Sequence, residues 1–267
     1  MKPKLLIVGA GGRMGKRIIS LAIEGNDFSI LAAVDKKGHP DMGKDVGLMV
    51  SGKPLEVNLD FNFPDAAADV VLDFSQPQAS DGTISYCLQK KCPLVLGTTG
   101  LSSQQQEKIR AASQKIVIVY STNMSVGMNI LFSHAGKIAA MLKEDYDVEI
   151  VEQHHRFKKD APSGSALTIA ENICRATGRD YPGSIIYGRQ GKEALRKKGE
   201  IGIHSVRAGD ITGIHTIIFS TEGETFSLNH TAHNRDCFAR GALRAAAWLI
   251  GRKPALYSMA DVLGVPK

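Results

Sequence analysis

The residues best equipped for chemistry lie in EQHHRFKKDAPSGSA, positions 152–166. His154 and His155 can donate or accept a proton near neutral pH. Arg156, Lys158 and Lys159 place cations beside them, and Asp160-Ala161-Pro162 then leads into Ser163-Gly164-Ser165, a helix start. Backbone N–H groups at such a start, here those of Gly164 and Ser165, favour an anion. Basic side chains facing the same place make a carboxylate or a phosphate the natural guest. The same composition also fits a solvated basic loop. Neighbours on an extended segment point to opposite sides, so only one of His154 and His155 need face a site. A metal centre fits poorly, because Glu152, His154 and His155 are spaced too tightly for the helix-borne zinc pattern and no cysteine pair lies near.

A second group of residues suits a dinucleotide. GAGGRMG, positions 9–15, carries Gly9, Gly11, Gly12 and Gly15 around Ala10, Arg13 and Met14. Glycines there permit a tight turn and let the backbone approach a pyrophosphate seated on a helix N-terminus. Met14 stands at the third glycine position of GxGxxG, so the turn reads equally as GxxGxxG. Asp35, twenty residues after Gly15, ends the next strand where an acid binds a ribose diol. Lys36 and Lys37 follow and could meet a 2′-phosphate, so NADH and NADPH both stay open. Gly97-Thr98-Thr99 and Ser121-Thr122-Asn123-Met124 end later strands and offer backbone and hydroxyl groups for a nicotinamide and its ribose. They also suit ordinary turns and a helix N-cap.

The elements that must hold these residues follow from periodicity. Apolar runs at 5–8, 29–35, 70–75, 93–100 and 116–122 alternate with helical patterns beginning at Met14, Ala79 and Ser102. That is the signature of a doubly wound parallel sheet, whose ligands bind beyond the carboxyl ends of its strands. Between 38 and 69 the pattern loosens to loops with a short strand near Val57. A long helix, 126–143, leads to a strand at 146–152, and Ala166, Ile169, Ala170 and Ile173 mark a helix over 163–176. Alternation at 201–207, 214–220 and 225–231, broken by AGDITG and TEGE, predicts an antiparallel meander. The expected fold class is α/β: a Rossmann-like doubly wound parallel domain plus an α+β domain with a four-stranded, mainly antiparallel sheet. Positions 183–199, glycine-rich and basic, are expected to form a mobile loop. Helices at 235–249 and 254–263 should return to cover the first sheet.

Bulk properties narrow the classes. At 267 residues, 43% hydrophobic and 22% charged, the chain suits one large or two ordinary globular domains. It has no apolar run long enough to span a bilayer, and its first apolar run ends too soon in glycines for a signal peptide. Cys87, Cys92, Cys174 and Cys237 form no CxxC pair, which points to a reduced, cytoplasmic protein. A net charge of +6 without interleaved aromatics favours a small anion over nucleic acid. No cysteine lies in a strand-end loop beside a candidate base, which disfavours an acyl-enzyme dehydrogenase. Two further readings remain: a dehydrogenase of simple amino or hydroxy acids, and a sensor that binds dinucleotide without turning it over.

GAGGRMG, GTTG (97–100), STNMSVG (121–127), the 152–166 run, VRAGDITGIH (206–215) and GALRAAAWL (241–249), in this order and spacing, resemble bacterial 4-hydroxy-tetrahydrodipicolinate (dihydrodipicolinate) reductases. The resemblance spans essentially the whole chain. It implies an NAD(P)H-dependent oxidoreductase of diaminopimelate and lysine biosynthesis, metal-free, cytoplasmic and tetrameric. It implies a dinucleotide-binding domain over 1–125, completed by 235–267, and a substrate-binding and oligomerisation domain over 126–234. Matched position by position, it puts catalysis on His154 and Lys158 and substrate binding on His155, Gly164 and Ser165. The cofactor falls on Gly9, Ala10, Gly11, Gly12, Arg13, Met14, Asp35, Lys36, Gly97, Thr98, Thr99, Ser121, Thr122, Asn123 and Met124. Ser165 stands for a usual threonine, Phe157 for a polar residue, and Asp35 for a glutamate in some members. The implied substrate, a cyclic imine-type dicarboxylate, accounts for the clustered cations and requires two domains that close, with hinges near 123–127 and 234–236.

Overall fold

Leu5 to Val8 are buried on both faces, as a strand inside a parallel sheet must be. This strand, β1 (Lys4–Val8), runs through the glycine turn into α1 (Arg13–Gly25), and the alternation continues with β2 (Ser29–Val34), α2 (Val46–Ser51) and β3 (Leu59–Asp60). Next come β4 (Val70–Asp73), α3 (Pro77–Lys90), β5 (Leu94–Leu96), α4 (Ser103–Ser113) and β6 (Val117–Tyr120). The middle of the chain holds α5 (Val126–Leu142), β7 (Asp147–His154), α6 (Gly164–Thr177), β8 (Ile185–Tyr187), β9 (Ile201–Arg207), β10 (Gly213–Thr221) and β11 (Glu224–Ala232). The chain closes with α7 (Asp236–Leu249), β12 (Ala255–Tyr257) and α8 (Met259–Leu263). The computed structural model describes residues 1–265. It divides into two units, Met1–Val126 with the chain from Arg235 onward, and Gly127–Asn234.

The first unit is built on a seven-stranded sheet of order β12-β6-β5-β4-β1-β2-β3, in which neighbouring strands pair in parallel. One face packs against Ile18, Ile19 and Ala22 of α1 and the alanine stripe of α7, Ala239, Ala242, Ala245 and Ala246. The other packs against Ile84 and Cys87 of α3 and Ile109 and Ala112 of α4. The tail therefore does return to cover this sheet. It does so differently from the single helix expected over 254–263. Ala255 to Tyr257 pair with Val117 to Val119 as an edge strand. The helix starts only at Met259, where Ser258 and Asp261 form a reciprocal cap. In the loose 38–69 region the structure adds α2, nucleated by Asp45, whose carboxylate accepts from the N–H groups of Gly47 and Leu48.

The second unit carries a mixed sheet of order β11-β10-β7-β9-β8. It has five strands where four, mainly antiparallel, were expected. β10 pairs antiparallel with β7 and β11, but β9 runs parallel to both β7 and β8. The cause is two crossovers: α6 carries the chain from β7 to β8 and the 188–200 segment from β8 to β9, each returning it in the parallel direction. Nor is 183–199 an unattached loop. It contains β8, and its arginines reach carboxylates: Arg189 meets Glu149 at 2.8 Å and Glu200 at 3.0 Å, and Arg196 meets Asp147 at 2.7 Å. Val148 and Ile150 of β7 and Ile217 and Phe219 of β10 face a core shared with α5 and α6.

Gly15 sits where α1 begins against the glycine turn. A methyl group there would run into the carbonyl oxygen of Gly9 and lie 2.5 Å from the Ala10 Cα. Gly15→Ala is therefore expected to cost about 1–3 kcal/mol, as overpacking against backbone does. A urea titration should show a lower midpoint at unchanged slope; an unchanged midpoint would contradict this packing.

Candidate active site

On β7 the alternation that buries Val148 and Ile150 also buries Glu152 and His154. A carboxylate in that register needs donors, and Glu152, wholly inaccessible to solvent, has several. Oε2 accepts from His154 Nδ1 at 2.5 Å and from Arg207 Nη1 at 2.9 Å. Oε1 accepts from Arg207 Nη2 at 2.7 Å and from the Ser163 N–H at 3.1 Å. Arg207 arrives because parallel β9 sets it opposite His154, and its Nη2 also donates to the Asp160 carbonyl at 2.6 Å. Ser163 is the N-cap of α6: its hydroxyl accepts from the Ala166 N–H and lies 3.1 Å from His215 Nε2. Gly164 and Ser165 form the first turn, ahead of the Leu167 N–H to Ser163 carbonyl bond that opens the helical ladder. One carboxylate thus ties the end of β7 to the start of the helix that presents Gly164 and Ser165.

Electrostatics follow from these contacts. Burial alone would push the Glu152 carboxyl up, but its hydrogen bonds from His154, Arg207 and Ser205 outweigh burial and hold it far below the usual carboxylate range. His215 on β10 stacks edge-on to His154, ring centroids 5.2 Å apart. Burial first, and the neighbouring His154 next, push its imidazole down to about 3, so it is neutral at physiological pH. The Lys158 ammonium meets Asp160 at 2.9 Å. Burial pushes the Asp160 carboxyl up, but the Lys158 hydrogen bond and charge prevail and leave it lowered. Lys159 is exposed, whereas His155 is half-buried and its Nδ1 makes no hydrogen bond among the described residues.

In the first unit, Gly9, Gly12, Asp35 and Lys36 line a cavity of about 720 Å³. Gly9 adopts φ +79°, and a Cβ there would come within 2.6 Å of the Phe74 carbonyl oxygen, so only glycine fits the turn. The Gly11 N–H donates to Asp35 Oδ2 at 2.9 Å and the Lys36 N–H to Oδ1 at 2.8 Å. A glycine turn, an acid at the end of β2 and a roomy apolar cavity beside them fit a dinucleotide. Arg13 and Met14 open α1, and Ala10 is fully buried. Gly97, Thr98 and Thr99 lie past β5 and Ser121 to Met124 past β6, and neither group lines the cavity. Thr98 donates to the buried Asp73 at 2.9 Å, and the Met124 side chain belongs to the core.

Residues not singled out in the sequence complete both places. Glu152, Arg207, Ser163 and His215 form the network around His154. The cavity adds His39, Phe61, Phe74, Ser75 and Gln76, beside the Lys37 that the sequence offered for a 2′-phosphate. Ser75 and Gln76 follow β4, the neighbour of β1, where the strand-end rule for ligand sites already directs the search. Phe61 lies in the aperiodic 38–69 region, which carries no such signal. Among the described residues no cluster of histidine, cysteine or carboxylate groups is placed to hold a metal ion, and no helix is long and apolar enough to cross a membrane.

Comparison with known proteins gives concordant matches. Family models described as the N-terminus and the C-terminus of dihydrodipicolinate reductase match residues 3–124 and 127–263. A 4-hydroxy-tetrahydrodipicolinate reductase from Syntrophus aciditrophicus (strain SB) is 46% identical over 263 residues, covering 98% of each chain. One from Pseudoalteromonas atlantica is 43% identical over 265 residues, covering 98% of this chain and 99% of its own. The structure of a dipicolinate-bound dihydrodipicolinate reductase from Paenisporosarcina sp. TG-14 superposes with a TM-score of 0.76 at 26% identity, over 98% of this chain and 99% of that one. An amine dehydrogenase from Mycobacterium smegmatis shares the fold, with a TM-score of 0.60 at 11% identity over 97% and 95% of the two chains.

The buried, neutral His215 has a stability signature. A histidine ordinarily titrates near 6.5, and His215 does so near 3 in the folded protein. Between those values the unfolded chain binds more protons, so stability falls as pH falls. From pH 6.5 to 4.5, above the ordinary glutamate value, the slope from this one group approaches about 1.4 kcal/mol per pH unit. His230, also lowered by burial, adds a term of the same sign. Urea unfolding across that window should give His215→Gln a slope shallower by nearly one proton; equal slopes would contradict a buried neutral imidazole.

Proposed function

The chain belongs to the dihydrodipicolinate reductase family, and from that membership we propose how its residues divide the work. It is an oxidoreductase that reduces 4-hydroxy-tetrahydrodipicolinate, by way of dihydrodipicolinate, to tetrahydrodipicolinate in the diaminopimelate route to lysine. The observation that carries the assignment is the full-length likeness at 46% identity, covering 98% of each chain. The direct test is NAD(P)H oxidation with freshly generated substrate from the preceding pathway enzyme. A simple amino-acid dehydrogenase would instead turn over without a dicarboxylate, and a sensor would bind the nucleotide and leave it unoxidised.

The Gly9–Met14 turn would hold the pyrophosphate, Asp35 and Lys36 the adenosine ribose, and Gly97–Thr99 with Ser121–Met124 the nicotinamide end. When bound, the nicotinamide supplies the hydride. One substrate carboxylate is received by the Gly164 and Ser165 N–H groups, and His155 steadies the substrate beside them. Gly164 leaves open space where its side chain would stand, which suits a guest at that turn. As the imine accepts hydride, electron density moves through the conjugated system, and Lys158 and His154 meet it with positive charge and a proton. Cytoplasmic residence accords with four free cysteines.

Both NADH and NADPH should serve. Asp35 can meet a ribose diol, while Lys36, Lys37 and His39 in the same cavity can meet a 2′-phosphate. We expect kcat/KM values for the two that differ by less than about a thousandfold, roughly 4 kcal/mol, with Asp35→Ala harming NADH more than NADPH. A larger preference would refute dual use.

A homotetramer is proposed to form through the sheet of the second unit. Its helices pack on the face bearing Ile217 and Phe219, and the alternate residues Thr216, Ile218 and Val151 remain only half-buried. Sedimentation velocity at micromolar concentration should give a tetramer, and a fully active monomer would sink the idea.

The two neighbouring lysines separate chemistry from surface charge. Lys158 is largely covered and paired with Asp160, whereas Lys159 is exposed. Loss of a group used mainly in the transition state lowers kcat, typically by about a hundredfold or more. Lys158→Ala should do so at saturating substrate and nucleotide, and Lys159→Ala should change kcat little. Equal, small effects would return this run to the class of solvated loops.

A further inference from the structure

We propose that Glu152 is the positioning residue of the reaction: with Arg207 it fixes which nitrogen of His154 carries the working proton. The proposal rests on the reductase reading and goes beyond it, because it decides between the two candidate donors, His154 and Lys158. A carboxylate held far below its ordinary range by three hydrogen-bonding partners accepts hydrogen bonds and donates none. The Nδ1 of His154, 2.5 Å from Glu152 Oε2, must therefore carry a hydrogen in both protonation states of the ring. The only nitrogen left to exchange a proton is Nε2, which makes no hydrogen bond to protein among the described residues.

Donation then needs no rearrangement. The Nε2–H bond of the imidazolium breaks, its proton passes to the carbon that gains electron density when hydride adds, and the ring is left as the neutral Nδ1–H form still bonded to Glu152. Dihydrodipicolinate, formed from the 4-hydroxy substrate by loss of water, plus one hydride and one proton gives tetrahydrodipicolinate, and solvent restores the proton to Nε2. Lys158, paired with Asp160, remains a fixed positive charge beside the dicarboxylate.

The other charged and titratable groups around His154 support this arrangement. Arg207 on β9 occupies both carboxylate oxygens and leaves Glu152 no freedom to turn. His215 on β10, edge-on to His154, is neutral and cannot take over as the local acid. Lys158, His155 and Asp160 belong to the loop that follows β7. The same Glu152 carboxylate accepts the Ser163 N–H, so the helix turn that receives the substrate and the imidazole that protonates it are located by one group.

Two measurements test this. In the unaltered, ligand-free protein, ¹⁵N NMR of the histidine rings through a pH titration, with His154 assigned from the resonances lost in His154→Gln, should show that whenever the ring is neutral its hydrogen is on Nδ1, with a far-downfield Nδ1 proton. A neutral ring protonated at Nε2 overturns the proposal, whether or not the protein turns over its substrate, so this result is separable from the reductase reading. In Glu152→Gln the amide offers one acceptor oxygen where two are needed. Its kcat should fall at least about thirtyfold, beyond any rise in KM for the dicarboxylate that follows from loosening the Ser163 turn, and the solvent deuterium isotope effect on kcat should rise as proton delivery becomes limiting. Glu152→Asp should recover part of the loss. A Glu152→Gln enzyme with wild-type kcat and isotope effect overturns the proposal, as does a loss confined to KM.

Discussion

The architecture of the second unit depends on one buried carboxylate. Glu152 lies in the apolar register of β7, where an unpaired charge would be untenable. It is tolerated because Arg207, His154 and the Ser163 N–H together satisfy both oxygens. Removing one member of such a buried pair typically costs about 3–5 kcal/mol, because the other charge is left without compensation. The network therefore constrains three segments at once: the end of β7, the end of β9 and the first turn of α6. Fixing all three to one carboxylate fixes the spacing between His154 and the Gly164–Ser165 turn, the proposed proton and anion sites.

The first unit solves a different problem by a different means. Its site is made of backbone: a glycine turn that no side chain could enter, and an acid whose two oxygens are held by the N–H groups of Gly11 and Lys36. A nucleotide is large and approaches mainly through its phosphates and ribose, so close backbone access counts for more than titratable groups. A small dicarboxylate that must also be protonated demands charge and an imidazole held in place. The contrast between a permissive glycine turn and a rigid ionic network follows from the two kinds of guest.

Much of this was legible in the sequence. Continuous apolar runs alternating with helical patterns read directly as the parallel sheet, because burial on both faces leaves no room for polar residues. The 152–166 run offered two histidines, clustered cations and the Gly164–Ser165 turn by type and spacing, and the family resemblance chose His154, His155 and Lys158 among them. Glu152 was also legible: period-two alternation from Val148 puts it on the buried face, and a buried glutamate must have a cation. Arg207 was not, because 201–207 read as part of an antiparallel meander, and only the two crossovers, α6 and 188–200, set β9 parallel to β7 and bring Arg207 opposite His154. β8 was hidden in a basic, glycine-rich stretch whose three-residue strand is too short to show periodicity. His39 and Phe61 reach the nucleotide cavity from an aperiodic region, where tertiary packing decides position and local pattern says nothing.

The central claim is that one buried carboxylate locates both the anion-binding turn and the proton-bearing nitrogen. Its most direct test is a crystal structure of the protein with a nicotinamide dinucleotide and a cyclic dicarboxylate bound. The account predicts one carboxylate accepting from the Gly164 and Ser165 N–H groups, His154 Nε2 directed at the ring of the ligand, and Glu152 unmoved between His154, Arg207 and Ser163. A dicarboxylate bound away from that turn, or a His154 that has left Glu152 to present Nδ1, would contradict it.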